Sequence, residues 1–153
     1  MTTQIRSIGD LIAVRNAAGP AALTAAGTGD NTAVTGVIID RAALNWPQSC
    51  TVVIPFIATL AAAATLSVTA TLQDGDNSAL SDAATFAAIA SGVAATGESG
   101  GSTEQSQIEV DVSLAGAKRY VRLNFTPDLS AGATDTARVG AVIAFGGSNR
   151  LPI

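Results

Sequence analysis

Val121, Leu123 and Phe125 stand at alternate positions, with Arg122 and Asn124 between them, inside Gly116-Ala117-Lys118-Arg119-Tyr120-Val121-Arg122-Leu123-Asn124-Phe125. A period of two is the pleat of a β-strand with one face in a core and one in water, and no helix satisfies it. Ile108-Glu109-Val110-Asp111-Val112-Ser113-Leu114 alternates in the same way. Ala115-Gly116-Ala117 has the length of a tight connection, so the two segments are predicted to pair as a hairpin. Glu109 and Asp111 would then share an outer face with Arg119 or Arg122, each cross-strand pair contributing roughly 0.2–1 kcal/mol to the register.

The same pattern places strands near 11–15, 32–39, 50–57, 65–73, 83–89, 106–114, 118–126 and 136–145, about eight in all. Leu66, Val68, Ala70 and Leu72 point inward in one of them, and Val139, Ala141, Ile143 and Phe145 in the last. Cys50 to Ile57 is dense in Val and Ile, as a strand covered on both faces would be, and Pro55 places it at an edge or a bulge. Asn16 to Asn31 and Ser91 to Gln105 are Gly-, Ala-, Ser- and Thr-rich without apolar order, and both are predicted to be loops. Trp46 precedes Pro47, which favours extended backbone and a place capping one end of the core. Ala61-Ala62-Ala63-Ala64 is too short to form a helix. With no amphipathic helix between strands, the expected fold is all-β: an antiparallel two-sheet sandwich, jelly-roll-like, with an N-terminal arm. The division is an arm and loop over 1–31 and a sandwich domain over 32–153, within a single domain of 153 residues.

Charged residues are 13% of the chain, which leaves a surface that neighbouring subunits can cover. The net charge of −4 and the single lysine, Lys118, argue against a nucleic-acid partner, which needs a basic face. Lys118, Arg119 and Arg122 are the one cationic cluster, read as a solvated strand face. Cys50 stands alone, so no intramolecular disulfide forms, and it reads as a small buried hydrophobe. The first ten residues lack the apolar core of a secretion signal, and Val52 to Ala64 is too short to span a bilayer. A cytoplasmic site of synthesis and no membrane partner are therefore expected.

Histidine is absent, which removes the commonest general base, the usual triads and most transition-metal sites. Asp74, Asp76 and Ser78 have the alternating spacing of a calcium loop, but Thr85 occupies the twelfth position where a glutamate belongs, so the stretch reads as a turn. Glu98 and Glu104 sit in a Gly-Ser segment with nothing to fix their separation, and Gly97 to Ser102 joins no strand to a helix. No catalytic, cofactor-binding or metal-binding residues are expected, and the chain is read as a non-enzyme.

Three short motifs carry a resemblance. Ile39-Asp40-Arg41 follows the first strong strand, Leu72-Gln73-Asp74-Gly75-Asp76 closes an apolar strand, and Lys118-Arg119-Tyr120-Val121-Arg122 opens the alternating strand described above. In this order they resemble the capsid decoration, or cement, proteins of tailed bacteriophages, over about residues 32–153. The resemblance implies a jelly-roll or similar sandwich, assembled as a homotrimer on the outer capsid and clamping adjacent major capsid protein subunits after assembly in the host cytoplasm. The Lys118–Arg122 strand is then framework, and the capsid contact is expected from the N-terminal arm through Ile5, Ile8, Leu11 and Ile12. Two other classes remain open. One is a different phage structural part, a tail-tube or head-completion protein, which would form larger rings. The other is a carbohydrate-binding sandwich, which would need an exposed aromatic array in a chain only 4% aromatic.

Overall fold

The computed structural model describes residues 8–130 and 134–149. Nine strands are present among them: β1 (Ile12–Thr24), β2 (Val34–Thr35), β3 (Ile39–Asp40), β4 (Ser49–Leu60), β5 (Thr65–Gly75), β6 (Ala84–Thr96), β7 (Ser102–Ser113), β8 (Tyr120–Leu129) and β9 (Thr136–Gly146). Every pairing is antiparallel. One sheet runs β1-β9-β4-β7 and the other β2-β8-β5-β6, with β3 also on β8.

The order follows from one long folded-back ladder. β1 pairs β9, β2 and β3 pair β8, β4 pairs β7, and β5 pairs β6, so each pair nests inside the previous one. Rolling that ladder over brings β9 against β4 and β8 against β5, which closes two sheets around one core. This is the jelly-roll form of the β-sandwich. β2 and β3 are two halves of one path along β8, since Val34 lies opposite Phe125 and Ile39 opposite Val121. The break between them falls at Gly36, where the chain leans onto the other sheet and Val37 N donates to Ala17 O at 2.7 Å. A Cβ on Gly36 would lie 2.1 Å from Leu123 O and 2.7 Å from Ala17 O, so only glycine permits this approach of the two sheets.

The alternating segments are buried as their pattern requires. Leu66, Val68, Leu72, Val121, Leu123, Val139, Ile143 and Phe145 are all fully buried, and Phe125 is 1% exposed. Cys50 is buried too.

Several expectations are corrected. β7 and β8 do not form a hairpin: they belong to opposite sheets, and residues 114–119 carry the chain across the end of the sandwich. Asp111 accepts from Thr51 Oγ1 instead of facing an arginine. The expected loop over Asn16–Asn31 is mostly strand, because β1 runs to Thr24 and lies along β9 with two register shifts around Ala18. The expected loop over Ser91–Gln105 shrinks to residues 97–101, with β6 and β7 covering the rest. β1, β6 and β7 lie at sheet edges, where one side of the strand has no neighbour and small or polar residues suffice, so little apolar alternation is written in β1, β6 or β7 before Ile108. β4 is an inner strand with one buried face, and Pro55 sits in its middle, where the ladder to β9 passes over Ile54 and Pro55.

Candidate functional site

The three motifs, far apart in sequence, meet at one end of the sandwich. β3 ends in Asp40, paired with Tyr120, and hands the chain to Arg41, whose N–H donates to Arg119 O at 2.9 Å. The Arg41 side chain turns inward and is 2% exposed. Its Nη1 donates to the carbonyls of Ala117 and Lys118, and its Nη2 to those of Pro47 at 2.8 Å and Leu114 at 3.1 Å. One planar guanidinium therefore ties the β3–β4 connection to the β7–β8 crossing, using the rigid fork that a lysine lacks. Burial pulls the Arg41 pKa down, opposed by the nearby Asp74 carboxylate.

Carboxylates complete the cluster. Asp74, buried at the end of β5, accepts from Lys118 N at 2.8 Å. Asp82 accepts from the backbone N–H groups of Asp76 and Asn77, at 2.8 and 3.1 Å, and so closes the 76–82 turn. Asp40 grips Arg119 with both oxygens, at 3.0 and 2.8 Å, and accepts from Ala42 N. These acceptors are engaged in holding loops, so the cluster fastens the fold. Burial pushes the Cys50 thiol up to about 11, so it is protonated near neutral pH and is not a reactive thiolate. Among the described residues no group of three or more His, Cys, Asp or Glu side chains gathers in a way that could hold a metal ion.

The hydrogen bonds from Arg119, joined by backbone N–H donors of Ala42 and Ala43, hold the Asp40 carboxyl below its usual range against the opposing effect of desolvation. A depressed folded-state value means that the stability it contributes is present above the unfolded carboxylate range and is lost as pH falls through the folded value. Asp40→Asn is therefore expected to flatten the loss of stability between about pH 5 and pH 3, read from denaturation midpoints across that window. The change is small, because the pair is exposed, and Asp82, shifted the same way by its backbone donors, keeps its own share. An acid limb identical in both proteins would contradict the assignment.

The residues expected to contact a partner lie at this same end, with one exception. Ile5 is outside the described residues. Ile8 and Leu11 are 71% and 39% exposed, in and just after a short 3-10 turn over Ile8–Asp10, and Leu11 N donates to Ile8 O. Ile12 begins β1 opposite Gly146 and is half-buried. Trp46 is corrected: its backbone is left-handed, at φ 56°, rather than extended, and it is 41% exposed. Asn45 before it is left-handed as well, at φ 58°. Asparagine tolerates that region, which was the one local signal for the turn. Elsewhere, a groove of about 730 Å³ crosses the outer face of the four-stranded sheet between Pro20, Pro55, Ile57 and Arg138, floored at Gly140. Neither the groove nor the end cluster could be read from the sequence, since each is assembled from distant segments.

No family model matches the chain, and no curated protein matches it. Among solved structures, VP2 of infectious bursal disease virus, in its subviral particle, matches over 92% of this chain and 34% of its own, at 15% identity and a TM-score of 0.51. The Gx strain of the same virus matches over 92% and 34%, at 13% identity and a TM-score of 0.50. The PBSX exported protein XepA matches over 99% of this chain and 42% of its own, at 15% identity and a TM-score of 0.46. This chain thus spans about a third of the length of the two viral chains, and its likeness to them is one of fold.

Proposed function

We propose that this chain is a non-enzymatic structural protein of a virion: a decoration protein that binds the outer capsid of a tailed bacteriophage as a homotrimer and stabilises contacts between major capsid subunits. The observation that carries the reading is the convergence of its three motifs. Ile39-Asp40-Arg41, the Asp74 turn and Lys118-Arg119-Tyr120 resemble the decoration family in sequence, and they interlock at one end through Arg41, Asp40 and Asp74. A shared framework would keep such residues together. The jelly roll suits the role, since VP2 of infectious bursal disease virus, known in a subviral particle, has a domain of like fold.

Contact with the shell runs through the N-terminal lead, with Ile8 and Leu11 already exposed and Ile5 and Ile12 beside them in sequence. The test has two readouts. Native mass should give a trimer, and the protein should sediment with empty capsid shells. Deleting residues 1–10 is expected to abolish sedimentation with shells while leaving the trimer mass unchanged. A truncated chain that still decorates shells would remove the arm from the contact, and a hexameric or larger ring would favour a tail-tube or head-completion part.

A further inference from the structure

A strand at the edge of a sheet leaves backbone N–H and C=O groups unpaired, and the edges of this sandwich meet that liability in different ways. β2 and β3 are two residues each, too short to template a partner. β6 pairs β5 with three register shifts, and β1 pairs β9 with two and carries Pro20, so neither offers a straight row of donors and acceptors. β7 is the exception. It lies at the end of its sheet, pairs β4 residue for residue over Ser102–Ser113 without a shift, contains no proline and has no buried residue. A straight free edge of this length is where a second copy of the chain would add a strand.

Glu104 breaks that row. It stands opposite Ala58, which is 0% exposed, and residues opposite one another share a face, so its side chain leaves the backbone on the core side. There it is half-buried, and Ser102 Oγ, opposite buried Leu60, donates to its Oε1 at 2.6 Å. Ser102 Oγ accepts in turn from Glu98 N at 2.9 Å. If two β7 strands paired antiparallel, Glu104 would face an even-numbered residue of the other copy, because only such registers keep both core faces together. Those residues are Ser102, Glu104, Ser106, Ile108, Val110 and Val112. None is a cation, so the carboxylate would be covered beside serine, an aliphatic side chain or a second carboxylate, and burying a charge without a partner charge is costly. Arg15 repeats the arrangement on β1: it stands opposite fully buried Ile143, and its Nη1 turns to donate to Val14 O at 3.0 Å.

We infer that Glu104 is a gatekeeper: its charge, set on the core side of the free β7 edge, keeps a second copy of the chain from adding a strand there and confines self-association to other surfaces. Its position decides the effect. Glu109 and Asp111 lie on the outer face of the same strand, exposed and opposite Val53 and Thr51, where a carboxylate stays in water whichever strand lies beside it. The role holds for any oligomer that forms elsewhere on the surface, with or without a shell.

The test compares the full-length wild type, Glu104→Val and Glu109→Val by sedimentation equilibrium over a range of protein concentrations, together with hydrogen exchange of the β7 amides. Glu104→Val is expected to add mass in multiples of the wild-type oligomer, with self-association at least about 30-fold tighter. It should also protect the alternate β7 amides that do not bond to β4. Glu109→Val removes the same charge from the outer face and should keep the wild-type mass. A Glu104→Val protein of wild-type mass, with those amides still exchanging, overturns the gatekeeper. So does a Glu109→Val protein that associates as strongly, which assigns the effect to net charge. Added mass without amide protection places the new contact away from the edge and overturns it too, as does a wild type whose free-edge amides are already protected in its own oligomer. If Glu104→Val fails to fold, Glu104→Gln, which removes the charge and keeps an acceptor for Ser102, is held to the same two readouts.

Discussion

Arg41→Ala is expected to lose at least about 3 kcal/mol of folding stability, a fall of about 6–12 °C in Tm for a domain of this size. The residue is 2% exposed and donates to four carbonyls on two crossing segments. Removing it takes this donor from the buried Pro47 carbonyl and from the partly buried carbonyls of Ala117 and Lys118, while Leu114 O keeps its bond from Ala117 N, and an acceptor left unpaired costs roughly 1–3 kcal/mol before water enters the gap. It also removes the side-chain link between residues 114–119 and the β3–β4 connection, leaving the backbone bonds from Leu114 N to Gln48 O and from Arg41 N to Arg119 O to hold them together. Arg41→Lys should recover little, because one ammonium cannot span four carbonyls in a plane. Denaturant unfolding at matched protein concentration is the measurement, since self-association would otherwise shift the midpoint. A midpoint equal to that of the wild type would show that the cluster is ornamental to stability.

Phe125→Ala should cost about 3–5 kcal/mol. Phe125 lies on β8 between Val34 of β2 and Ala70 of β5, and with Phe145 it is among the largest fully buried side chains. β8 is bonded on both sides and faces the other sheet, so the backbone cannot close over the lost ring and a cavity remains. The transfer and cavity terms then add. Val93→Ala is the control: Val93 is 61% exposed on the edge strand β6, and its truncation should stay within about 0.5 kcal/mol. Equal effects from the two substitutions would mean that the inner faces assigned to the sheets are wrong.

How much of this was legible before the fold was known depends on what each segment buries. Leu66 to Leu72, Val121 to Phe125 and Val139 to Phe145 face a core on one side only, and water or hydroxyl groups on the other, so burial writes the period of two directly into them. β1, β6 and the first half of β7 are edge segments that carry few large apolar residues at regular spacing, whereas Ile108, Val110 and Val112 alternate in the second half of β7. Gly19, Pro20, Gly92 and the serines and threonines among them look like loop, although β6 and β7 run 13 and 12 residues. Trp46 was misjudged for a different reason. Its local preference before Pro47 is extended, and the bonds from Trp46 N to Arg41 O, from Gln48 Nε2 to Trp46 O and from Asn149 N to Asn45 O override it. At the candidate site, the apolar character of Ile8 and Leu11 in a polar lead is legible in the sequence, whereas their place at the same end as Arg41 and Trp46 comes only from tertiary contacts.

Composition and alternation alone established an all-β sandwich with few charges and no histidine chemistry, because which side chains leave water is a property of each residue and its near neighbours. Which strands pair, and that the Asp40, Asp74 and Lys118 motifs close on one buried guanidinium, was decided by the rolled ladder. Antiparallel pairing uses backbone groups that every residue carries alike. The choice of partner is therefore set by how two whole sheets cover one another, and no local stretch of sequence holds that information.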